Sequence, residues 1–266
     1  MQSTISGQAM KFAALALLVL VIAVGVWLWT PDTSRVVLEA KYLASPGDLV
    51  TVAGTRLHVR DSGPRDAPVL ILIHGFGSSL QTWEPWAMAL EPSFRVIRFD
   101  LPGSGLSDPD ATGDYTDTRT LTILVALMDH LGIARASLIG NSIGGRIAWT
   151  FAAMHPERVV KLVLISPDGF ASPGFVYGQK PEVPAVLGAM RFVLPRFLLR
   201  QNLAPAYGDP TRLTDATLER YHDLMLAPGG RAALITRLQQ TVLRDPVPML
   251  RQIQAPVLLV WGSRTG

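Results

Sequence analysis

A serine set among glycines is the strongest chemical signal in the sequence. Ser142 lies in "LIGNSIGGRIAWTF", residues 138–151, between Gly140 and Gly144. A glycine-rich turn between a strand and a helix can bind phosphate groups through its backbone N–H groups, or it can hold a nucleophile in a strained, exposed position. These two chemistries make different demands on the residues that follow the turn.

The residues after the glycines separate the two chemistries. Residues 140–146 have the G-x-x-x-x-G spacing of a phosphate loop, but such a loop continues with a Lys and then a Ser or Thr. This sequence has Arg146 and Ile147 there. Read as G-x-S-x-G, the segment follows an apolar run and precedes a helical pattern, as a nucleophile elbow requires. The spacing therefore favours Ser142 as a nucleophile, held in a tight turn by Gly140 and Gly144.

A second glycine-rich turn is a candidate for stabilising negative charge. The sequence "HGFG", residues 74–77, directly follows the apolar run "VLILI". We expect Gly75 and Gly77 to let this turn aim backbone N–H groups at a developing oxyanion. The N–H of Phe76 and the N–H of Ile143, the residue after the nucleophile, are the expected pair. We expect His74 to hold the turn by hydrogen bonds.

Short apolar runs alternate with helical patterns along the chain. The runs are rich in Val, Leu and Ile, which is typical of strands covered on both faces. They are residues 69–73, 94–99, 136–140, 159–165 and 256–261. The clearest helix is predicted over residues 118–131, with Asp117 as its cap and Gly132 after its end. The alternation predicts an α/β fold with a mainly parallel sheet and helices on both faces.

The alternation stops between two core strands, where prolines are followed by helical periodicity. This pattern predicts a helical cap over residues 167–250, inserted between core residues 36–166 and 251–266. In this architecture such a cap lies over the carboxyl edge of the sheet, where ligands bind. Its larger apolar side chains predict an apolar pocket or packing between cap and sheet. They are Phe170, Phe175, Val176, Tyr177, Met190, Phe192 and Phe197.

The amino-terminal segment is long and uncharged. Residues 12–29, "FAALALLVLVIAVGVWLW", would span about 27 Å as a helix, close to the thickness of a bilayer's hydrocarbon core. A cleaved signal peptide is the alternative, but the run is long for one and "TPDTSR" lacks a small-x-small cleavage site. We therefore predict a single-pass membrane anchor over residues 1–35. The flanking charges leave its orientation open.

The composition excludes several other classes of function. The net charge is +3 and the pI is near 9.4, but the arginines are scattered and form no stripe for nucleic acid. The chain has no cysteine, so it can form no disulfide and has no thiolate that could act as a nucleophile or as a metal ligand. We expect a small-molecule substrate and a membrane as partners, and no metal or organic cofactor.

The order of these motifs resembles the α/β-hydrolase fold family. The resemblance covers about residues 49–262 and includes "HGFG", "DLPGSGLSD", "GNSIGG" and "APVLLVWG". "GNSxGG" is most similar to the serine esterases and the carbon–carbon bond hydrolases of ring-cleavage pathways, whereas dehalogenases and epoxide hydrolases carry Asp at the elbow. The resemblance implies acyl chemistry by Ser142 on small esters or aromatic-derived carbonyl compounds.

The carboxyl-terminal sequence departs from the family pattern. The family usually has an acid in "WGxxD" and a histidine on a later loop, whereas "WGSRTG" places Thr265 at the acid position and no histidine follows. The resemblance then implies a truncated chain of doubtful activity. Asp168 in "SPDGF" stands at an alternative acid position of the family, or is a turn residue. We expect a membrane-anchored serine hydrolase, with an inactive binding or scaffold protein as the alternative.

Overall fold

A computed structural model describes residues 2–262. The strands are β1 (Leu49–Val52), β2 (Thr55–Ser62), β3 (Val69–Ile73), β4 (Arg95–Phe99), β5 (Ala136–Asn141), β6 (Val159–Ile165) and β7 (Val257–Val260). The helices are α1 (Gln2–Leu28), α2 (Arg35–Tyr42), α3 (Glu84–Leu90), α4 (Asp117–His130), α5 (Ile143–Met154), α6 (Ala185–Gly188), α7 (Arg196–Leu203), α8 (Asp215–Met225), α9 (Gly230–Gln240) and α10 (Val247–Leu250).

The strands form one sheet in the order β1-β2-β4-β3-β5-β6-β7. Strand β2 pairs antiparallel with β1 and β4, and all later pairs are parallel. From β3 the chain places β4 on one side and β5 on the other, so the winding direction reverses at β3. Ile73 pairs with Gly140 there, which brings the loops after β3 and β5 together at the carboxyl edge. Ligand sites in open α/β sheets form at such a reversal.

Helices cover both faces of the sheet, which confirms the expected α/β fold. One face packs against α4 and α5 through a large core that includes Ile71, Leu124, Leu138, Ile147 and Phe151. The opposite face packs against α3 and the turn before it through Leu72, Trp83, Ala87, Val96 and Ile139. Burying each large apolar side chain contributes about 1.5–3 kcal/mol, so these two layers fix the sheet that carries the turns.

Helix α4 forms where the sequence predicts it, but its cap differs. Thr116 is the N-cap, and its hydroxyl accepts a hydrogen bond from the backbone N–H of Arg119 at 3.3 Å. Asp117 is instead the first helical residue, where its negative charge interacts favourably with the helix dipole. Gly132 follows the helix with φ +67°, which terminates it.

The cap is held to the core by a buried arginine. Arg237 of α9 donates to the carbonyl oxygens of Tyr115 and Pro102 at 3.4 and 3.3 Å and to the hydroxyl of Thr120 at 3.3 Å. Its guanidinium lies over the Tyr115 ring. Burial lowers the pKa of Arg237 to about 10, which leaves it charged at neutral pH. Moving α9 away from the core would break these hydrogen bonds and leave the guanidinium of Arg237 and its acceptors without their partners.

The cap's apolar side chains do not all pack inward, which corrects the expectation of a pocket or core role for all of them. Phe170, Val176, Phe192 and Phe197 are each about half exposed, between 49% and 53%. The inner side of the cap is filled by a leucine cluster instead, namely Leu199, Leu213 and Leu218. Val176, Phe192 and Phe197 therefore contribute to the surface rather than to the core, and Phe170 lines a pocket described below.

Helix α1 projects away from the core. Its segment Gly7–Leu28 is long and apolar enough to cross a membrane by length and composition, and none of it is buried in the protein. A signal sequence near the amino terminus would pass the same test. The linker after α1 is ordered, because Asp32 pairs with Arg231 of α9 at 2.6 Å and Thr33 donates to the carbonyl of Leu226 at 2.8 Å.

Candidate active site

Ser142 occupies a strained turn between β5 and α5. Its backbone has φ 54° and ψ −121°, a conformation that a residue with a side chain rarely adopts. Backbone hydrogen bonds hold it there: its N–H donates to Ile165 at 3.1 Å, and its carbonyl accepts from Arg146 at 3.1 Å and Asp168 at 3.2 Å. The hydroxyl does not cap the helix. The partly exposed side chain is thus presented by the turn rather than used to stabilise it.

The glycines on either side of Ser142 lie where no side chain fits. A Cβ added at Gly140 would lie 2.2 Å from the carbonyl oxygen of Gly144. A Cβ added at Gly144 would lie 2.2 Å from the carbonyl oxygen of Ile73, in the neighbouring strand. Both neighbours are backbone atoms that cannot give way without moving the sheet. The glycine spacing read from the sequence is therefore a packing requirement of the turn.

The "HGFG" loop lies against this turn, as its place after the neighbouring strand predicts. A Cβ added at Gly75 would lie 2.9 Å from Asn141 Oδ1 and 3.4 Å from Ser142 Cβ. Gly77 adopts φ +62°, which favours glycine. Phe76 lies between these glycines with its side chain partly exposed, and Ile143 begins α5. The structure thus places the loop that contains Phe76 next to Ser142, directly before the helix start at Ile143.

His74 is a buried, neutral residue that shapes this loop. The backbone N–H of Leu101 donates to Nε2 at 3.0 Å, so Nδ1 carries the proton and donates to the Gly75 carbonyl at 2.8 Å. Burial lowers the pKa of His74 below its ordinary value of 6.5, despite the nearby carboxylate of Asp100. A histidine with both nitrogens engaged is unsuited to act as a base for Ser142.

Asp100 is a buried residue of the site whose role the sequence did not reveal. Its carboxylate accepts backbone hydrogen bonds from Leu80 at 2.6 Å and Leu106 at 2.9 Å, and lies 2.8 Å from His58 Nδ1. A Cβ at Gly105 would lie 2.1 Å from Asp100 Oδ2, so the turn wraps tightly around the carboxylate. The signal was present in "DLPGSGLSD", directly after β4. Asp100 therefore connects, through hydrogen bonds, the chain segments on either side of the "HGFG" loop, residues 74–77.

Asp168 lies close to the elbow, but its carboxylate faces an arginine. Its Oδ1 is 2.9 Å from Arg146 Nε in the first turn of α5, and its carbonyl accepts from Trp149 Nε1 at 3.2 Å. Burial raises the pKa of Asp168, and the positive charge of Arg146 opposes that shift. In residues 2–262 this carboxylate contacts no histidine.

None of the five histidines reaches Ser142. His58 contacts Asp100, and His155 lies 3.8 Å from Glu157. The Nε2 of His222 lies 2.7 Å from the carbonyl of Leu194, and His130 ends α4 at the surface. Thr265, at the position where the family carries its acid, lies outside the described residues. Residues 2–262 also hold no group of three potential His, Asp or Glu metal ligands.

Free space differs on the two sides of the elbow. Next to Gly77, under the cap, a narrow cavity of about 20 Å³ has room for one or two water molecules. On the other side a cavity of about 420 Å³ is lined in part by Asp117, Arg146 and Trp149. An apolar pocket of about 250 Å³ lies beside it, between Phe170 and β7. The cavity of about 420 Å³ has the size of a small-molecule pocket, and the apolar pocket is slightly smaller than such sites usually are.

Comparison with known proteins agrees with this architecture. The family model described as alpha/beta hydrolase fold matches residues 68–266. A putative 2-succinyl-6-hydroxy-2,4-cyclohexadiene-1-carboxylate synthase of Bacillus subtilis (strain 168) is 39% identical over 228 residues, covering 80% of each chain. A 2-hydroxy-6-oxo-6-phenylhexa-2,4-dienoate hydrolase of Comamonas testosteroni is 30% identical over 214 residues, which are 77% of this chain and 73% of the relative.

A solved structure extends the similarity to the amino-terminal region. The crystal structure of a membrane phospholipase A, a bacterial virulence factor, has a TM-score of 0.63 and 28% identity and covers 96% of this chain and 84% of that chain. The chain therefore belongs to the α/β-hydrolase fold family. Its relatives support a hydrolase as the general class of protein.

Proposed function

We propose that the protein is a membrane-anchored serine hydrolase that acts on small esters or related carbonyl compounds. The observation that carries the proposal is the strained backbone of Ser142, which presents a hydroxyl next to the Gly75 loop. The Ser142 oxygen attacks the substrate carbonyl and its proton passes to a base, which then gives that proton to the oxygen of the departing alcohol. Water then attacks the acyl-serine and releases the carboxylic acid. The N–H groups of Phe76 and Ile143 stabilise the oxyanion in both steps.

We infer that the base for this reaction is not among the histidines of residues 2–262. Each of them lies elsewhere or has both ring nitrogens engaged, as His74 does. We propose that turnover depends on a histidine that residues 1–266 do not contain, and that Asp168 is a candidate for the acid that orients it. The alternative function, a non-catalytic binding protein, draws its support from this same observation.

A test supplies the base from solution. The 266-residue chain in detergent is expected to react with a fluorophosphonate probe at close to background, because Ser142 is positioned but not deprotonated. Added imidazole should raise the labelling in proportion to its concentration. Ser142→Ala should abolish the increase. Ser137→Ala, near the start of the strand that leads to Ser142, should retain it. Labelling that stays at background in imidazole would favour the binding protein.

The apolar pocket beside α5 and the relatives support the proposed substrate class. Trp149, Leu164 and Phe170 line the 250 Å³ pocket with the side chains of β7. This lining favours an apolar acyl or aromatic group, in keeping with the 2-hydroxy-6-oxo-6-phenylhexa-2,4-dienoate hydrolase relative. A panel of nitrophenyl esters and a vinylogous diketone, assayed with imidazole, tests the class. Ser142-dependent preference for the diketone would indicate carbon–carbon bond hydrolysis.

A further inference from the structure

The cap carries an exposed surface with an unusual mixture of side chains. This anchor-proximal surface consists of residues 185–200, from α6 to α7. Its sequence, "AVLGAMRFVLPRFLLR", contains no acidic residue. Its exposed apolar side chains are Val186, Phe192, Phe197 and Leu198, and its basic side chains are Arg191, Arg196 and Arg200. Exposed aromatic and aliphatic groups next to arginines are typical of segments that lie at a membrane interface.

Helix α7 shows that the exposure is a property of the fold. Leu199 is buried in the cap's leucine cluster, while Phe197 and Leu198 on the same helix face solvent. The helix thus has one buried apolar side chain and, on another side, two apolar side chains that stay partly exposed within residues 2–262. Exposed apolar faces of this kind mark interaction sites in stable proteins.

The same surface is fixed to the end of the proposed membrane anchor. The Trp29 ring stacks on Phe192 with 5.7 Å between ring centroids and 21° between their planes. The N–H of Thr30 donates to the carbonyl of Phe192 at 2.8 Å, and Thr30 Oγ1 accepts from the N–H of Leu194 at 3.1 Å. The relative position of α1 and this surface is therefore set by direct contacts.

The charges favour an anionic partner. Arg200 pairs with Asp215, and Arg196 lies 3.9 Å from Asp223, whereas Arg191 has no ion pair within residues 2–262. Even the two paired arginines keep about half of their side chains exposed. Basic residues close to a bilayer surface are attracted by anionic lipid headgroups.

We propose that residues 185–200 lie in the headgroup region of an anionic bilayer next to α1. This proposal rests on the proposed membrane anchoring of α1. Trp27 and Trp29 suit the interface at the end of the anchor, and Phe192 lies at the depth of Trp29 because the two rings touch. The cap is then the part of the soluble domain that faces the lipid, and amphiphilic substrates meet it first.

The absence of cysteine from the sequence allows a direct measurement of depth. The full chain carrying Phe197→Cys is labelled with an environment-sensitive nitrobenzoxadiazole dye and reconstituted into phosphatidylcholine–phosphatidylglycerol vesicles. Val160→Cys, an exposed position at the amino end of β6, is the matched control, and Val19→Cys reports the anchor itself. Lipids with a doxyl group near the headgroup or deep in the chain serve as quenchers.

The three labels distinguish the possible outcomes. We expect headgroup-level quenching at position 197, deep quenching at position 19 and none at position 160. Quenching at position 19 with none at position 197 would overturn the proposal for the cap but not the proposal for the anchor. A blue shift at position 197 without doxyl quenching would also overturn the proposal for the cap, because it would indicate contact with a protein instead of lipid. Loss of quenching at 19 would refute the anchoring itself. Triple replacement of Arg191, Arg196 and Arg200 by Gln should weaken quenching at 197 but not at 19.

Discussion

The strain of the nucleophile turn can be tested at a single glycine. A Cβ at Gly144 would meet backbone carbonyls at 2.2 and 2.7 Å, so Gly144→Ala forces α5 away from β3. We expect the variant to lose about 3 kcal/mol of stability. Gly188→Ala is the control, because nothing lies within 4 Å of its added Cβ and alanine favours its helix. The melting temperatures of the two variants in detergent measure their stabilities. Equal melting temperatures would contradict the packing argument for Gly144.

His74 gives the protein a predictable pH dependence. The unfolded chain binds a proton near pH 6.5, but burial lowers the pKa of His74 in the folded protein. The unfolded state therefore binds more protons as the pH falls below 6.5, and stability decreases from there towards the folded pKa. His74→Asn should make the melting temperature fall less between about pH 7.5 and about pH 5.5 than in the wild type. His222 adds to the slope in the same direction, because burial lowers its pKa too.

The control for this experiment is His130→Asn, which alters an exposed residue at the end of α4. It should retain the full pH dependence of the wild type. An identical slope in all three proteins would show that His74 is not buried and neutral. Because His74 holds the Gly75 carbonyl, the variant's imidazole-dependent labelling is expected to fall as well.

Residue roles were predictable where they depend on neighbours in sequence. The glycine spacing around Ser142 follows from one strand–turn–helix unit, which the sequence displays directly. The role of Asp100 was missed because its partners, His58, Leu80 and Leu106, come from other segments. A charged residue looks like a surface residue until the fold shows what it is buried against.

The docking of the cap can be tested at the level of one helix. Arg237→Leu in α9 leaves the carbonyls of Pro102 and Tyr115 without their donor in a buried place. We expect a loss of about 3 kcal/mol and faster proteolysis between cap and core. Arg251→Leu, at an exposed position beyond α10, should change stability by less than about 0.5 kcal/mol. Equal effects of the two changes would contradict a docking role for Arg237.

The elements of the core were more predictable than those of the cap. Each core strand is a short apolar run between turn residues, and all five expected runs became strands. The cap has short helices between prolines, and Phe192 contacts Trp29, a residue distant in sequence. Periodicity identifies an apolar face but does not tell what covers it.

Membrane attachment is a property of the whole molecule. If α1 is an uncleaved anchor, the full-length chain should remain in the pellet after an alkaline carbonate wash of cell membranes. A variant with Leu17 and Leu20 changed to Arg should be released, because each charge at the centre of a membrane helix costs about 3 kcal/mol. Recovery of a shortened soluble wild-type chain would show instead that α1 is a cleaved signal.

The sheet has one well-covered side and one open side. Strand β7 pairs with β6 along one edge, and within residues 2–262 its other edge has no strand partner. Its side chains from Val257 to Val260, and Trp261 after them, are 40–58% exposed, whereas Ile71, Leu72 and Ile73 of β3 are fully buried. For residues 2–262 we therefore expect local opening to occur more readily at β7 than at β3. In deuterated water the backbone amides of β7 are expected to exchange faster than those of β3. Local unfolding would then spread from the exposed edge of the sheet towards the turn at Ser142.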